Sequence, residues 1–156
     1  MRHRARISFA ALPSGSASPA VRPVSSALEN VVRFYSADVE FHEYPNRIAP
    51  NGRVRRRAEL QAAYGQGQKL LSSQRYEVRR VVENGDEVAV ELEWTGVLAE
   101  PVAAMNLPAG HEMKAFVAMF LTFRDGKIVS QRNYDCYPPF DAPASELMKR
   151  AGERND

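Results

Sequence analysis

Two glycine-containing turns constrain the fold of this chain more than any other feature. Asn84-Gly85-Asp86 lies between two segments in which apolar and polar residues alternate, and Asp125-Gly126 lies between another two. Turns of this composition join antiparallel strands, because Asn, Asp and Gly accept the backbone conformation of a tight hairpin. The pattern predicts two hairpins with strands at residues 74–83, 87–98, 112–124 and 127–137.

The first half of the chain predicts helices and one strand. Ser26, with Glu29 three residues later, forms a capping box, which predicts a helix over residues 27–36. Residues 39–44 alternate and end at Pro45, which predicts a strand, and the apolar residues of 58–71 predict a second helix. Helices followed by a run of antiparallel strands indicate an α+β fold.

The chain of 156 residues fits one domain with a tail at each end. Residues 13–26 are rich in Ser and Pro, so we expect residues 1–25 to be a disordered or atypical segment. Residues 26–140 form the predicted domain, and residues 141–156 a C-terminal tail. If the first segment packs at all, its short apolar patch would do so as a brief helix.

Charge and cysteine content exclude several classes of function. Residues 1–26 contain four arginines and no acid, whereas the remainder has 17 basic against 19 acidic residues, so we expect no nucleic-acid partner. No apolar stretch is long enough to cross a membrane. The single cysteine, Cys136, is expected to be a buried apolar side chain, and one cysteine mildly favours a reducing, cytoplasmic location.

Three segments resemble SnoaL-like proteins of the nuclear transport factor 2-like superfamily. They are FYSADVEF at 34–41, FRDGKIV at 123–129 and RNYDC at 132–136, and the resemblance covers roughly residues 27–140. It implies a cone, in which a strongly curved, mostly antiparallel sheet wraps around N-terminal helices and a pocket. The prolines and glycine of residues 13–23 depart from the family, because they interrupt the long first helix that closes the cone.

The resemblance to ketosteroid isomerases in this superfamily implies a pair of catalytic carboxylates. Glu43, just before Tyr44-Pro45, occupies a place similar to that of the isomerase base, and Asp135 belongs to the set that faces inward on the last strand. Two carboxylates in an apolar cavity have their pKa values pushed apart, as acid–base chemistry requires. In the alternative interpretation Glu43 is solvated or caps a turn, and Asp135 pairs with Arg132 or the backbone.

Further residues are predicted to hold a ligand. We expect Tyr76 and Asn133 to bind its polar end, Trp94 and Met119 its apolar body, and His111 to lie near the mouth of the cone. Met119 occupies the place of a hydrogen-bonding acid of the isomerases and cannot donate a hydrogen bond. The three histidines have no metal-ligand spacing, so neither a metal nor another cofactor is expected.

The expected function is therefore binding of a hydrophobic small molecule, with cofactor-free isomerase, cyclase or hydrolase chemistry at Glu43 and Asp135. The alternatives are a non-catalytic ligand-binding module and a dimeric interaction domain. Phe116, Ala118 and Phe120 make the outer face of the long strand unusually apolar, which predicts a homodimer through that face.

Overall fold

The computed structural model describes residues 32–140. Its elements are β1 (Tyr35–Glu43), β2 (Arg53–Arg55), α1 (Arg57–Leu70), β3 (Leu71–Asn84), β4 (Glu87–Leu98), a 3-10 helix (Ala103–Met105), β5 (Glu112–Arg124) and β6 (Lys127–Cys136). The four strands of the two predicted hairpins are confirmed, and β4 and β5 have the predicted bounds. Gly85 and Gly126 both adopt positive φ, as their turns require.

The six strands form one curved, open sheet in the order β2-β1-β6-β5-β4-β3. All neighbours are antiparallel except β1 and β6, which run parallel. The register shifts within the β1–β6, β3–β4 and β5–β6 pairs, and such irregularities bend strands. The predicted α+β class and the mostly antiparallel sheet are confirmed.

The start of β1 corrects the predicted boundary between the first helix and the first strand. Tyr35 and Ser36 belong to β1, because Tyr35 pairs with Ile128 of β6 and the Ile128 N–H donates to the carbonyl of Phe34. Pairing with a distant strand therefore prevails over the local helical pattern. The predicted helix before residue 32, the segment 1–25 and the tail 141–156 lie outside the described residues.

The helix α1 begins where the Glu59 carboxylate accepts a hydrogen bond from the Arg56 N–H at 2.7 Å. It contacts both β1 and β3. These strands lie near opposite edges of the sheet, so the helix extends across its concave side. Ala63 of α1 consequently faces the concave side. Within residues 32–140, no helix is long and apolar enough to cross a membrane.

The main hydrophobic core lies on the concave side, where alternation places the apolar residues of β1, β4 and β5. The buried members are Val39, Phe41, Val90, Leu92, Ala115, Val117 and Leu121. Each large side chain buried in this way contributes about 1.5–3 kcal/mol. A second cluster of Leu98, Leu107 and Met113 closes one end, where the connection from β4 to β5 forms the 3-10 helix that the sequence pattern did not predict.

The convex side carries exposed aromatic residues and corrects the prediction for the cysteine. The rings of Tyr44 and Tyr134 stack with centroids 4.5 Å apart, and Phe120 meets Tyr134 edge-on at 5.8 Å. Cys136 is exposed, because its position on β6 alternates with that of the inward-facing Asp135.

Candidate functional site

The concave side of the sheet forms an open cavity of about 350 Å³, a volume typical of sites for small organic ligands. The side chains that line it come from β1, α1, β3, β4, β5, β6 and the residue after β6. They are Phe41, Glu43, Ala63, Gln74, Tyr76, Leu92, Trp94, Ala115, Val117, Met119, Asn133, Asp135 and Tyr137. The lining combines an apolar wall with polar groups and two carboxylates.

Glu43, at the end of β1, is held by both of its carboxylate oxygens. Arg55 of β2 donates to Oε2 at 3.0 Å, and Asn46 donates to Oε1 at 3.0 Å. The Glu43 side chain is only 11% exposed. Gly52 permits this arrangement, since it has positive φ and a Cβ there would lie 2.7 Å from the Glu43 carbonyl oxygen. Glu43 is therefore a fixed negative charge.

Asp135, on β6, has different surroundings. Among the described residues no cation forms an ion pair with it, and Arg132 lies over the Phe120 ring on the convex side. Within residues 32–140, its one side-chain hydrogen bond is a long one of 3.5 Å from Asn133 Nδ2. Burial, reinforced by the charge of Glu43, raises the pKa of Asp135 from 3.8 to about 6.

The inward-facing residues of β6 are joined by a series of hydrogen bonds that begins on β1. The Tyr35 hydroxyl donates to Gln131 Oε1 at 2.6 Å, and Gln131 Nε2 donates to Asn133 Oδ1 at 2.8 Å. Asn133 Nδ2 then faces Asp135. Burial raises the pKa of Tyr35 to about 12, so this hydroxyl keeps its proton.

At the opposite side of the cavity, Trp94 lies over Gly96. A Cβ at Gly96 would be 2.4 Å from Trp94 Cζ2, so only glycine leaves room for the indole. The Trp94 N–H donates to Gln74 Oε1 at 3.2 Å, and the Tyr76 hydroxyl donates to the same oxygen at 3.1 Å. Since the indole N–H can only donate, it fixes which end of the Gln74 amide faces Trp94.

Tyr137 follows β6 on the same face as Asp135 and completes the polar lining. Its ring packs edge-on against Trp94 with centroids 6.4 Å apart. Burial and the charges of Asp135 and Glu43 raise its pKa, so the hydroxyl is protonated and can donate a hydrogen bond. The structure thus supplies a hydrogen-bond donor to the cavity, which Met119 cannot provide.

The structure brings six of the seven predicted site residues to this cavity. They are Glu43, Tyr76, Trp94, Met119, Asn133 and Asp135. His111 is not among the lining residues, because it precedes β5 at the far end of the sheet, where its carbonyl accepts the Leu98 N–H. Gln74 and Tyr137 are not among the ligand-binding residues predicted from the sequence, although the alternation of β3 and β6 places both on the inner face. The described residues contain no cluster of His, Cys, Asp or Glu that could hold a metal.

Comparisons with known proteins agree with this architecture. The SnoaL-like domain family profile matches residues 25–131. AclR of Streptomyces galilaeus, a candidate hydroxylase, has a TM-score of 0.59 at 19% identity, covering 81% of each chain. IdmH of Streptomyces antibioticus, a candidate polyketide cyclase, has a TM-score of 0.59 at 22% identity, covering 71% of this chain and 81% of its own.

A third structure, from Catenulispora acidiphila, has a ketosteroid isomerase-like fold and was solved in complex with trimethylamine. Its TM-score is 0.53 at 15% identity, over 69% of this chain and 73% of that one. At sequence identities this low, the structural similarity shows a shared fold alone. Among curated proteins, none matches the sequence.

Proposed function

Because the chain belongs to the SnoaL-like domain family, we propose that it binds a hydrophobic small molecule and transfers a proton on it without a cofactor. The observation that carries the proposal is the contrast between the two carboxylates of one cavity. Glu43 is fixed by a cation and an amide, whereas Asp135 is partly buried, lacks a cationic partner among the described residues and has a pKa of about 6. A group with this pKa exchanges its proton readily near neutral pH.

These surroundings assign different roles to the two acids. Asp135 is the proton-transfer group, either as the base that removes a proton from carbon or as the group that activates water. Burial raises the pKa of Asp135, and Glu43 supplies a charge that adds to this effect. The sequence-based hypothesis assigned the base to Glu43, but its two hydrogen bonds of 3.0 Å make it the less available carboxylate.

The remaining lining residues indicate the ligand. Trp94 and Met119 provide an apolar wall for its body. Asn133, Gln74 and Tyr137 provide N–H and O–H donors for a polar end, as a carbonyl or epoxide oxygen would need, and Tyr76 lies beside Gln74. Two carboxylates in the same cavity disfavour an anionic ligand. These features suit isomerase, cyclase or hydrolase chemistry on a neutral, mainly apolar molecule.

The test is a comparison of the wild type with Asp135→Asn on hydrophobic ketones, β-keto esters and epoxides. Deuterium exchange from D₂O into C–H bonds beside the carbonyl and hydrolysis of the epoxide are followed by NMR, and binding by calorimetry. We expect Asp135→Asn to lower turnover by about 10²- to 10⁴-fold while binding changes little. Turnover that survives the substitution contradicts the proposal, and binding without turnover in the wild type favours a ligand-binding module instead.

We also propose that the protein forms a homodimer through the convex face. The outer patch consists of Phe116, Ala118, Phe120, Tyr134 and Tyr44, and the last three are about 40% exposed. Exposed aromatic clusters of this kind are typical of protein interfaces. The patch lies on the opposite side of the sheet from the cavity, so dimerisation would leave the cavity open to its ligand.

A further inference from the structure

Gln131 is the one buried polar residue among residues 32–140, with 6% of its surface exposed. It lies on β6 between the apolar core and the cavity, directly opposite Leu121 of β5. A buried amide is costly unless its hydrogen bonds are made. A glutamine at this core position therefore requires an explanation in terms of its partners.

Both ends of the Gln131 amide are engaged. The oxygen accepts from the Tyr35 hydroxyl at 2.6 Å, and the nitrogen donates to Asn133 Oδ1 at 2.8 Å. The nitrogen also lies 3.5 Å from the sulfur of Met119. Because a thioether sulfur can only accept a hydrogen bond, Met119 favours the orientation in which the amide nitrogen faces the cavity.

The orientation of the Gln131 amide determines whether Asn133 turns its nitrogen or its oxygen toward the cavity. Since Asn133 Oδ1 is occupied by Gln131, its amide nitrogen faces Asp135, 3.5 Å from Oδ1. With the opposite orientation, Asn133 would turn a carbonyl oxygen toward a carboxylate, which is repulsive unless that carboxylate is protonated. Residues 131, 133 and 135 lie on one face of β6, and the orientation of the Gln131 amide thus determines which atom of Asn133 faces Asp135.

We propose that Gln131 is a positioning residue, anchored by Tyr35, that orients the Asn133 amide so that its N–H groups face Asp135 and the ligand. The inference rests on the proposed function of Asp135 but concerns residues that do not themselves react. It explains why an amide occupies a place in the core that an apolar side chain could fill. It also means that Asn133 recognises a hydrogen-bond acceptor on the ligand.

Several other groups face Asp135 and can influence its pKa. Glu43 faces it from β1, Tyr76 from β3 and Tyr137 from the end of β6. The tyrosines are neutral below about pH 9. Glu43 is therefore the acidic neighbour at neutral pH, and Arg55 and Arg53 of β2 lie beyond it, 3.0 and 3.8 Å from its carboxylate. The walls from α1, β4 and β5 are apolar here, with Ala63, Leu92 and Val117 as examples.

The experiment is a titration of the Asp135 carboxyl in the full chain by ¹³C NMR, with the resonance identified by its loss in Asp135→Asn. Gln131→Met keeps the length of the side chain but removes the amide. We expect it to raise the pKa of Asp135 by about half a unit or more, because Asn133 is no longer held with its N–H toward the carboxylate. The control is Leu121→Val, which perturbs the packing opposite Gln131 and should leave this pKa unchanged.

Tyr35→Phe provides a second and milder test should Gln131→Met fail to fold. It removes one hydroxyl and is expected to shift the pKa of Asp135 in the same direction by a smaller amount. An unchanged pKa in the folded variants, or an equal shift in Leu121→Val, overturns the inference. The titration needs no substrate, so a negative result here is distinguishable from turnover that survives Asp135→Asn, which would overturn the proposed function alone.

Discussion

Glu43 pairs with Asn133 across the parallel strands β1 and β6, two residues from Asp135, so the two acids share one face of the sheet. Both line the same cavity, yet among the described residues only Glu43 forms ion pairs with guanidinium groups. The parallel pairing brings the end of β1 beside the end of β6, and β2 then adds Arg55 on the side of Glu43 alone. The proposed division of roles follows from this asymmetry.

Removing the partner of Glu43 should destabilise the protein. We expect Arg55→Gln to lower the free energy of unfolding by about 2 kcal/mol at pH 7, because a largely buried carboxylate loses the nearer of its two cations and keeps only Arg53, 3.8 Å away. The double variant Arg55→Gln, Glu43→Gln should recover much of this loss. Urea denaturation of the wild type, the two single variants and the double variant measures the coupling between the two residues. Additive effects of the two substitutions on the free energy of unfolding would show that the pair is unimportant.

Asp135→Asn should stabilise the protein at neutral pH. The folded-state pKa of about 6 lies above the value of 3.8 expected when the chain is unfolded, so ionisation of Asp135 favours unfolding as the pH rises through 6. Allowing for partial solvent contact, we expect a gain on the order of 1–2 kcal/mol at pH 8. The difference should vanish near pH 3, where the carboxyl is protonated in both states. A gain that is the same at both pH values would argue against a titration effect.

Gly96→Ala should displace the indole of Trp94 from the cavity wall. The new methyl would lie 2.4 Å from Cζ2, and overpacking of this kind costs about 1–3 kcal/mol. Trp94 is the single tryptophan, so its fluorescence reports the change directly. The control is Gly65→Ala in α1, where the methyl meets nothing within 4 Å and should stabilise the helix by about 0.5–1 kcal/mol. An unaltered emission spectrum in Gly96→Ala would contradict the close contact.

Phe120→Glu should dissociate the proposed dimer. The substitution introduces a charge at the centre of the outer patch, where Phe120 is 41% exposed. Leu70→Glu on α1 is the matched control, since that side chain is 40% exposed but lies away from the convex face. Sedimentation velocity at micromolar concentration should find a dimer for the wild type and the control, and a monomer for Phe120→Glu. A monomeric wild type would refute the dimer.

The alternation of apolar residues predicted the strands and their faces, because a half-buried strand requires one side chain in two to face the core. It correctly placed Val117 on the inner face and Phe116 on the outer face, whereas the inward position of Asp135 was predicted from the resemblance to ketosteroid isomerases. It could not predict the contacts of Glu43, because Arg55 is positioned by β2, a strand of three residues that is too short for a pattern.

Two further features depend on three-dimensional packing that no local pattern encodes. Tyr35 reaches Gln131 only because β1 begins four residues earlier than the predicted strand and pairs with β6. Gln74 appears in the sequence as an ordinary polar residue near a strand end, and its place in the site depends on Trp94, twenty positions away. The first contact arises from pairing between β1 and β6, which are far apart in the chain, and the second lies across the β3–β4 hairpin at the end remote from its turn.

The central claim, that Asp135 is the proton-transfer group because of its surroundings, is tested most directly by titrating its carboxyl in the wild type and in Glu43→Gln. ¹³C NMR of the full chain should give a midpoint of about 6 for the wild type. The midpoint should fall in Glu43→Gln, because the negative charge that disfavours ionisation of Asp135 is removed. A wild-type midpoint near 3.8 that does not respond to Glu43→Gln would contradict the account.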